Sequence, residues 1–115
     1  MTEESILAWD IAVGNFIDIL GHLEVVQGVV PDPEHPGKFL ILHSEKCLVG
    51  MPENVNFGCY GIELTEDWIA CLGLSDEELP GCIRYVHQAQ NYIRLFYGRN
   101  PVVDYDKLNY IFINY

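Results

Sequence analysis

Four polar side chains recur at helical spacing in the segment CIRYVHQAQNYIRLFYG, residues 82–98. His87 and Asn91 are four residues apart, and Arg84 and Arg94 lie three residues to either side of this pair. Residues three or four apart lie on the same face of a helix. Arginine presents a planar fork of donors that fits phosphate or carboxylate, and asparagine can hydrogen-bond to a base or a ribose hydroxyl. The cluster therefore predicts a site for a small anion such as a nucleotide.

Three further polar residues of the same region extend the predicted site. The full set of predicted ligand-binding residues is Arg84, His87, Gln88, Gln90, Asn91, Arg94 and Arg99. Gln90 falls beside Val86 and Ile93 at the edge of the apolar face, where a buried amide must find a hydrogen-bond partner. An alternative stays open, in which the cluster is only the solvated face of the helix.

The helix that would carry these residues is the only long segment with clear helical periodicity. Pro80 and Gly81 precede it, and Gly98 follows as a residue that can end a helix with φ > 0. Its apolar residues repeat at i, i+3, i+4 and i+7, which predicts one buried face. This predicted face consists of Cys82, Tyr85, Val86, Ala89, Tyr92, Ile93, Phe96 and Tyr97.

The chain before the helix favours strands. A lead-in at 6–10 and strands at 13–20, 23–30, 38–43, 46–49 and 57–63 are predicted from their β-branched and aromatic content. Gly21-His22 is read as a tight turn, Gly28 as a bulge, and the segment 31–37, with three prolines, as a loop.

Capping signals follow the strands. Thr65 is a good N-cap for a short helix, and Ser75 with Glu78 forms a capping box for a second short turn. After Pro101 the segment 109–115, NYIFINY, has the composition of a final strand.

This order of elements predicts an α+β fold in a single domain, residues 1–115. We expect a small twisted antiparallel sheet, or a partly open SH3-like barrel, of about five to six strands. It would pack on one long C-terminal helix, with one short helix in addition. The aromatic residues near the C-terminus complete the core in one interpretation and form the edge of a homodimer in the other. These residues are Tyr105, Tyr110, Phe112 and Tyr115.

The net charge is −11, and it is unevenly distributed. Residues 1–79 hold 15 carboxylates and two lysines, whereas residues 80–115 carry a net charge of +2. An acidic surface repels duplex nucleic acid, whose binding depends on Lys and Arg contacts to phosphates. It suits solubility or a basic protein partner.

The remaining chemistry-bearing residues are scattered. His22, His35, His43 and His87 lack a metal-binding spacing, and Cys82 with His87 is too weak a pattern for a nucleophile and its base. We therefore predict no catalytic residues, no metal and no cofactor. The four cysteines contain no CxxC pair and are predicted to be buried free thiols.

Two features of the chain bear on its location. No apolar run approaches the ~20 residues that span a bilayer. The acidic start MTEESILAWD lacks the basic segment of a signal peptide. We expect a cytoplasmic protein that does not bind membranes.

Three stretches resemble a known family. They are AWDIAVGNFIDILGHLEVVQGVV, GIELTEDWIACLGL and IRYVHQAQNYIRLFYG. They are similar to "L-R-I-G-N-Y-V … V", "I-P-L-T-E-E-W-L-…-L-G-F" and "I-K-Y-V-H-Q-L-Q-N-L-Y-F-A-L-T-G-E-E-L", in that order. This order is typical of small, largely uncharacterised proteins of Bacteroidales phages and mobile elements. Ala89 and Tyr92 replace leucines of the pattern, and residues 98–101 replace its Gly-Glu-Glu-Leu.

The resemblance implies a mobile-element accessory protein in a bacterial host, and it draws attention to His87, Gln90 and Asn91. The first hypothesis is a non-catalytic protein that antagonises a host defence system by holding a nucleotide-like signalling molecule. The second is an acidic inhibitor that occupies a basic or nucleic-acid-binding surface of a host protein. A third is a small phosphoester hydrolase.

Overall fold

The computed structural model describes residues 5–7, 11–34, 36, 39–43, 46–50 and 55–115. The chain divides into two compact units, residues 1–62 and residues 63–115. The division does not test the prediction of a single domain, which stays a prediction.

The first unit contains an antiparallel sheet. Its strands are β1 (Ser5–Leu7), β2 (Phe16–Ile19), β3 (His22–Pro31), β4 (Phe39–His43), β5 (Lys46–Gly50) and β6 (Val55–Tyr60). Their spatial order is β1-β6-β2-β3-β4-β5. Within the described residues no hydrogen-bonded pairing joins β5 to β1, so the sheet is open.

The β2–β3 hairpin and the β3 bulge follow from local sequence. Leu20 and Gly21 join the two strands with φ of 52° and 87°. Positive φ at both positions of a two-residue loop matches the right-handed twist of the strands. The Asp18 carboxylate accepts a hydrogen bond from the Gly21 backbone N–H at 2.8 Å. The pairing register of β3 with β4 shifts between Val26 and Gly28, which confirms the predicted bulge.

Apolar side chains of β2, β3 and β4 form the core of this unit. The buried cluster contains Ile11, Ile17, Ile19, Val26 and Ile41. Leu20 in the turn and Val25 in β3 remain exposed. Phe16 and Ile17 are neighbours in β2 and both are buried, so both faces of this hairpin carry buried side chains.

The second unit contains three helices. They are α1 (Glu66–Cys71), α2 (Val86–Tyr97) and α3 (Tyr105–Ile113), and a 3-10 turn lies at Asp76–Glu78. Thr65 caps α1 by accepting a hydrogen bond from the Trp68 backbone N–H at 3.3 Å. The Ser75 backbone N–H donates to Glu78 Oε1 at 3.1 Å, as the predicted capping box requires.

Helix α2 begins at Val86, four residues after the predicted start at Cys82. Cys82 lies in a turn and Tyr85 is extended instead, because Tyr85 pairs with Glu63 in an antiparallel bridge and the Leu64 N–H donates to the Arg84 carbonyl at 2.9 Å. The helix ends as predicted at Gly98, which has φ of 67°.

The predicted final strand is wrong, because residues 105–113 form α3. Asp104 caps this helix by accepting hydrogen bonds from the backbone N–H groups of Asp106 and Lys107. An N-cap three residues after Pro101 favours a helix, and this preference outweighs the β propensity of the segment.

The predicted buried face of α2 is partly wrong. Val86, Ala89 and Ile93 are fully buried, but Phe96 is exposed and so is Cys82. Cys71 is a buried free thiol as predicted and Cys82 is a free thiol on the surface. The side chains of Cys47 and Cys59 lie outside the described residues.

The α+β class is confirmed. The partly open SH3-like barrel is not confirmed, and the single long C-terminal helix is replaced by the successive helices α2 and α3. In the part of the chain that the structure describes, no helix is long and apolar enough to cross a membrane.

Candidate functional site

The N-terminus of α2 positions two of the predicted ligand-binding residues. Gln88 Oε1 accepts hydrogen bonds from the backbone N–H groups of Arg84 and Tyr85, at 3.0 and 3.1 Å. The amide of Gln88 thereby satisfies donors at the start of the helix. Arg84 remains exposed, and its guanidinium carbon lies 5.5 Å from the centre of the Tyr85 ring. Gln88 therefore acts as a cap, whereas Arg84 presents its charge to solvent.

His87 is buried, with 3% of its surface exposed, although it was predicted on the polar face. Its ring stacks on that of Tyr85 at 5.9 Å between centroids. Among the described residues its Nδ1 atom is buried without a hydrogen-bond partner. Burial disfavours the charged imidazolium and lowers the pKa of His87 to about 4. A neutral, enclosed imidazole cannot supply positive charge to an anion at neutral pH.

The middle of α2 separates Gln90 from Asn91 and Arg94. Gln90 is buried with 9% of its surface exposed, in line with its predicted place at the edge of the apolar face. Asn91 Oδ1 accepts a hydrogen bond from Arg94 Nη2 at 3.1 Å, and both residues are half-buried. One amide oxygen and one guanidinium are thus already engaged with each other.

Arg99 lies beyond the end of α2 and belongs to a different local network. Its guanidinium forms an ion pair with Glu78 and lies 5.8 Å from the centre of the Tyr97 ring. The positive charge predicted to attract a ligand is therefore balanced by a carboxylate of the 3-10 turn.

The structure does not bring the seven predicted residues to one exposed face. Asn91 and Arg94 retain some exposure on α2, as does Arg84 just before the helix, whereas His87 and Gln90 are buried. The prediction went wrong at His87, because helical spacing gives a residue's direction on the helix and not the depth to which neighbouring segments cover it.

A groove between α1 and α3 was missed by sequence reasoning. It has a volume of about 270 Å³. It is lined by Asp67, Ala70, Asp106, Lys107, Tyr110 and Ile111. The two helices are joined where the Asp104 N–H donates to the Cys71 carbonyl at 2.7 Å. No sequence signal could have found the groove while residues 109–115 were read as a strand.

The Cys71 thiol is also part of this junction. Its Sγ lies 3.6 Å from the Asp104 carbonyl oxygen, to which it donates. Burial, assisted by the Asp104 carboxylate, raises the pKa of this thiol. A thiol held protonated is a poor nucleophile, so Cys71 serves packing.

Within the described residues, no group of three His, Cys, Asp or Glu side chains could hold a metal ion. Comparison of the chain with protein-family models, with curated proteins and with solved structures finds no match. The resemblance to mobile-element proteins therefore stays a prediction.

Proposed function

We propose that the chain is a non-catalytic accessory protein of a phage or mobile element that binds a basic host protein and so antagonises a host system. The observation that carries this proposal is a set of large apolar side chains left exposed at the C-terminal end of the second unit. We call this set the C-terminal apolar surface. It comprises Leu95, Phe96, Tyr97, Val102, Tyr105, Tyr110, Phe112, Ile113 and Tyr115.

Part of this surface is one continuous stripe on α3. Tyr105 and Phe112 are seven residues apart, and the half-buried Leu108 lies between them at spacings of three and four. Residues at these spacings share one helix face. A contiguous exposed apolar face on a soluble domain marks an interaction site, and aromatic side chains are enriched at protein interfaces.

The net charge of the whole chain and of the second unit favours a basic partner, although most carboxylates of that unit lie at residues 63–79 and residues 80–115 carry a net charge of +2. Residues 63–115 hold eight carboxylates and four Arg or Lys residues, and the whole chain carries −11. Two copies would repel each other electrostatically, whereas a basic protein would be attracted and guided into contact. We therefore assign the C-terminal apolar surface to a basic protein and not to a second copy.

The decisive variant is Phe112→Glu, because Phe112 is 61% exposed and its replacement leaves the core intact. Wild-type protein and the variant are immobilised, and host proteins retained by each are identified and quantified. We expect a stoichiometric basic protein on the wild type, its loss on Phe112→Glu, and weaker retention when salt rises from about 0.1 M to about 0.5 M.

Val13→Glu is the matched control, since Val13 is 58% exposed and lies outside the surface. It should retain the same protein as the wild type. Equal capture by Phe112→Glu and the wild type would contradict the proposal. Sedimentation of the pure protein adds a second arm: a dimer that dissociates in Phe112→Glu would assign the surface to a second copy instead.

A second candidate function, sequestration of a nucleotide-like molecule, is favoured by Arg84. Its exposed guanidinium is held over the Tyr85 ring, beside which a base could stack. Calorimetry against cyclic and linear nucleotides tests this. Binding that disappears in Arg84→Ala supports it, and absence of heat with every nucleotide rules it out.

A further inference from the structure

The groove between α1 and α3 is distinct from the predicted site on α2. Its volume of about 270 Å³ lies just below the range of roughly 300–1,000 Å³ that holds drug-sized ligands. This size suits one small group or one side chain. Its two walls are fixed to each other by the Asp104–Cys71 hydrogen bonds, so the space is part of the folded unit.

Most of the lining is apolar. Ala70 lies on the α1 side and Ile111 on the α3 side, and the Tyr110 side chain adds an aromatic ring. Ile111 is buried, so the groove has an apolar floor. An aliphatic chain would bury its apolar surface against these side chains.

The charged residues of the lining are unbalanced. Asp67 and Asp106 bring two carboxylates, one from each helix. Lys107 is also present, but its ammonium nitrogen lies 3.7 Å from the Asp104 carboxylate, which offsets its charge. The two aspartates therefore leave an excess of negative charge beside an apolar wall and an aromatic ring.

We propose that this groove binds an alkylammonium group. Such a group has an apolar stem and a charged head, and these match an apolar floor with carboxylates beside it. The Tyr110 ring adds a cation–π partner for the same head. A guanidinium lacks the compact ammonium head, and a neutral alcohol lacks the positive charge.

Two sources supply this chemistry, a lysine side chain of a protein and a free polyamine. The lysine source rests on the proposed function, because a basic partner would present such a side chain. The groove shares Tyr110 with the C-terminal apolar surface, but its two aspartates and its apolar floor lie outside that surface. A titration with small molecules can therefore fail or succeed independently of the capture experiment.

The test is an amide chemical-shift titration of the whole chain with n-butylammonium chloride at neutral pH and low salt. We expect saturable shifts at residues 67–70 and 106–111, and weaker or absent shifts with 1-butanol at equal concentration. Asp106→Asn should weaken n-butylammonium binding about fivefold, the effect of one nearby charge at high dielectric.

Glu77→Gln is the matched control, since Glu77 is an exposed carboxylate that does not line the groove. It should leave the affinity unchanged. Equal shifts with 1-butanol, no shifts with n-butylammonium, or unchanged binding in Asp106→Asn would each overturn the proposal.

The source is then decided by comparing spermidine with N-acetyl-lysine methylamide in the same titration. Spermidine carries more positive charges than N-acetyl-lysine methylamide, and these charges alone strengthen its binding. If spermidine binds tighter by about tenfold or more beyond that effect, the groove is assigned to a polyamine. A smaller difference assigns it to a lysine side chain.

Discussion

Helices α2 and α3 contain similar apolar residues and use them differently. α2 buries Val86, Ala89 and Ile93 completely, whereas α3 buries Ile111 and exposes Phe112 and Ile113. Both helices repeat apolar residues at helical spacing, so the pattern alone does not distinguish them. The difference teaches that periodicity identifies an apolar face but not what covers it. In α2 the buried face stabilises the fold, and we assign the exposed apolar residues of α3, together with those at the C-terminal end of α2, to a partner.

The comparison is tested most strongly by truncating one isoleucine on each helix. Ile93 is 0% exposed and Ile113 is 81% exposed. Ile93→Ala should lower the free energy of unfolding by about 2–5 kcal/mol, through lost burial and a cavity. Ile113→Ala should change it by no more than about 0.5 kcal/mol. Urea unfolding of the wild type and both variants provides the measurement.

Similar losses of stability in Ile93→Ala and Ile113→Ala would contradict the difference between the two helices. A large loss in Ile113→Ala would mean that the α3 face is covered in the free protein, for instance by a second copy. Repeating the unfolding at several protein concentrations separates these cases, because only a dimer has concentration-dependent stability.

The next largest effect concerns the buried imidazole of α2. His87 has a pKa of about 4 in the folded chain, below the ordinary value of 6.5. Between these values the unfolded chain takes up a proton that the folded chain does not bind. Stability is therefore complete above about pH 6.5 and falls as the pH decreases toward 4, by about 2 kcal/mol between pH 7.5 and pH 5.

His87→Leu isolates this effect from the titration of the carboxylates. The variant keeps an apolar side chain at the buried position and removes the titrating group. We expect its free energy of unfolding to fall about 2 kcal/mol less than that of the wild type over the same pH interval. Equal pH dependence in the two proteins would show that His87 titrates normally and is not enclosed.

The C-terminal ends of α2 and α3 provide a further test of the comparison, with a smaller expected effect on stability. α2 ends at Gly98 with φ of 67°, whereas α3 ends at Asn114 with φ of −93°. Gly98→Ala places a Cβ in the left-handed region, and no atom lies within 4 Å of that Cβ. We therefore expect a loss of about 1 kcal/mol from backbone strain alone, measured by thermal or urea unfolding.

Gly81→Ala is the matched control. Its added Cβ also meets open space, but its φ lies outside the strained region. This variant should be neutral or slightly more stable, because alanine restricts the unfolded chain. If both substitutions cost the same, the left-handed end of α2 contributes nothing.

The sheet and the caps could be predicted because their causes are local. The bulge at Gly28 and the cap at Thr65 depend on residues within a few positions of each other. Strands β2 and β3 overlap the predicted ranges 13–20 and 23–30, because the β-branched and aromatic content of these segments favours strands. The bulge and the cap lie at the predicted positions, whereas the turn consists of Leu20 and Gly21 and not of the predicted Gly21-His22, since His22 is the first residue of β3.

The α3 helix and the depth of α2 could not be predicted because their causes are not local. The sequence 109–115 favours a strand, but in the structure it continues a helix that is capped at Asp104 and joined to α1 by the hydrogen bond from the Asp104 N–H to the Cys71 carbonyl. His87 lies on a polar stripe by spacing, but its burial depends on segments distant in sequence. The groove at Asp67 and Asp106 joins residues 39 positions apart, so it exists only after α1 and α3 have packed.

The smallest expected effect is the contribution of Arg99, which follows α2, to the free energy of unfolding. Arg99 forms an ion pair with Glu78, and both side chains retain contact with solvent. Screening by water and salt limits such pairs to about 0.2–1 kcal/mol. Arg99→Ala should therefore cost about 0.5 kcal/mol at low salt and less at about 0.5 M salt, where charges are screened within a few ångströms.

The double variant Arg99→Ala with Glu78→Gln separates the pair from the other contacts of the two residues. Glu78 also caps Ser75, and Arg99 also lies over the Tyr97 ring, so single losses combine several contacts. A coupling energy near zero from the four proteins would mean that Arg99 is not held by Glu78. The Arg99–Glu78 ion pair would then contribute nothing to the stability of the chain beyond the end of α2.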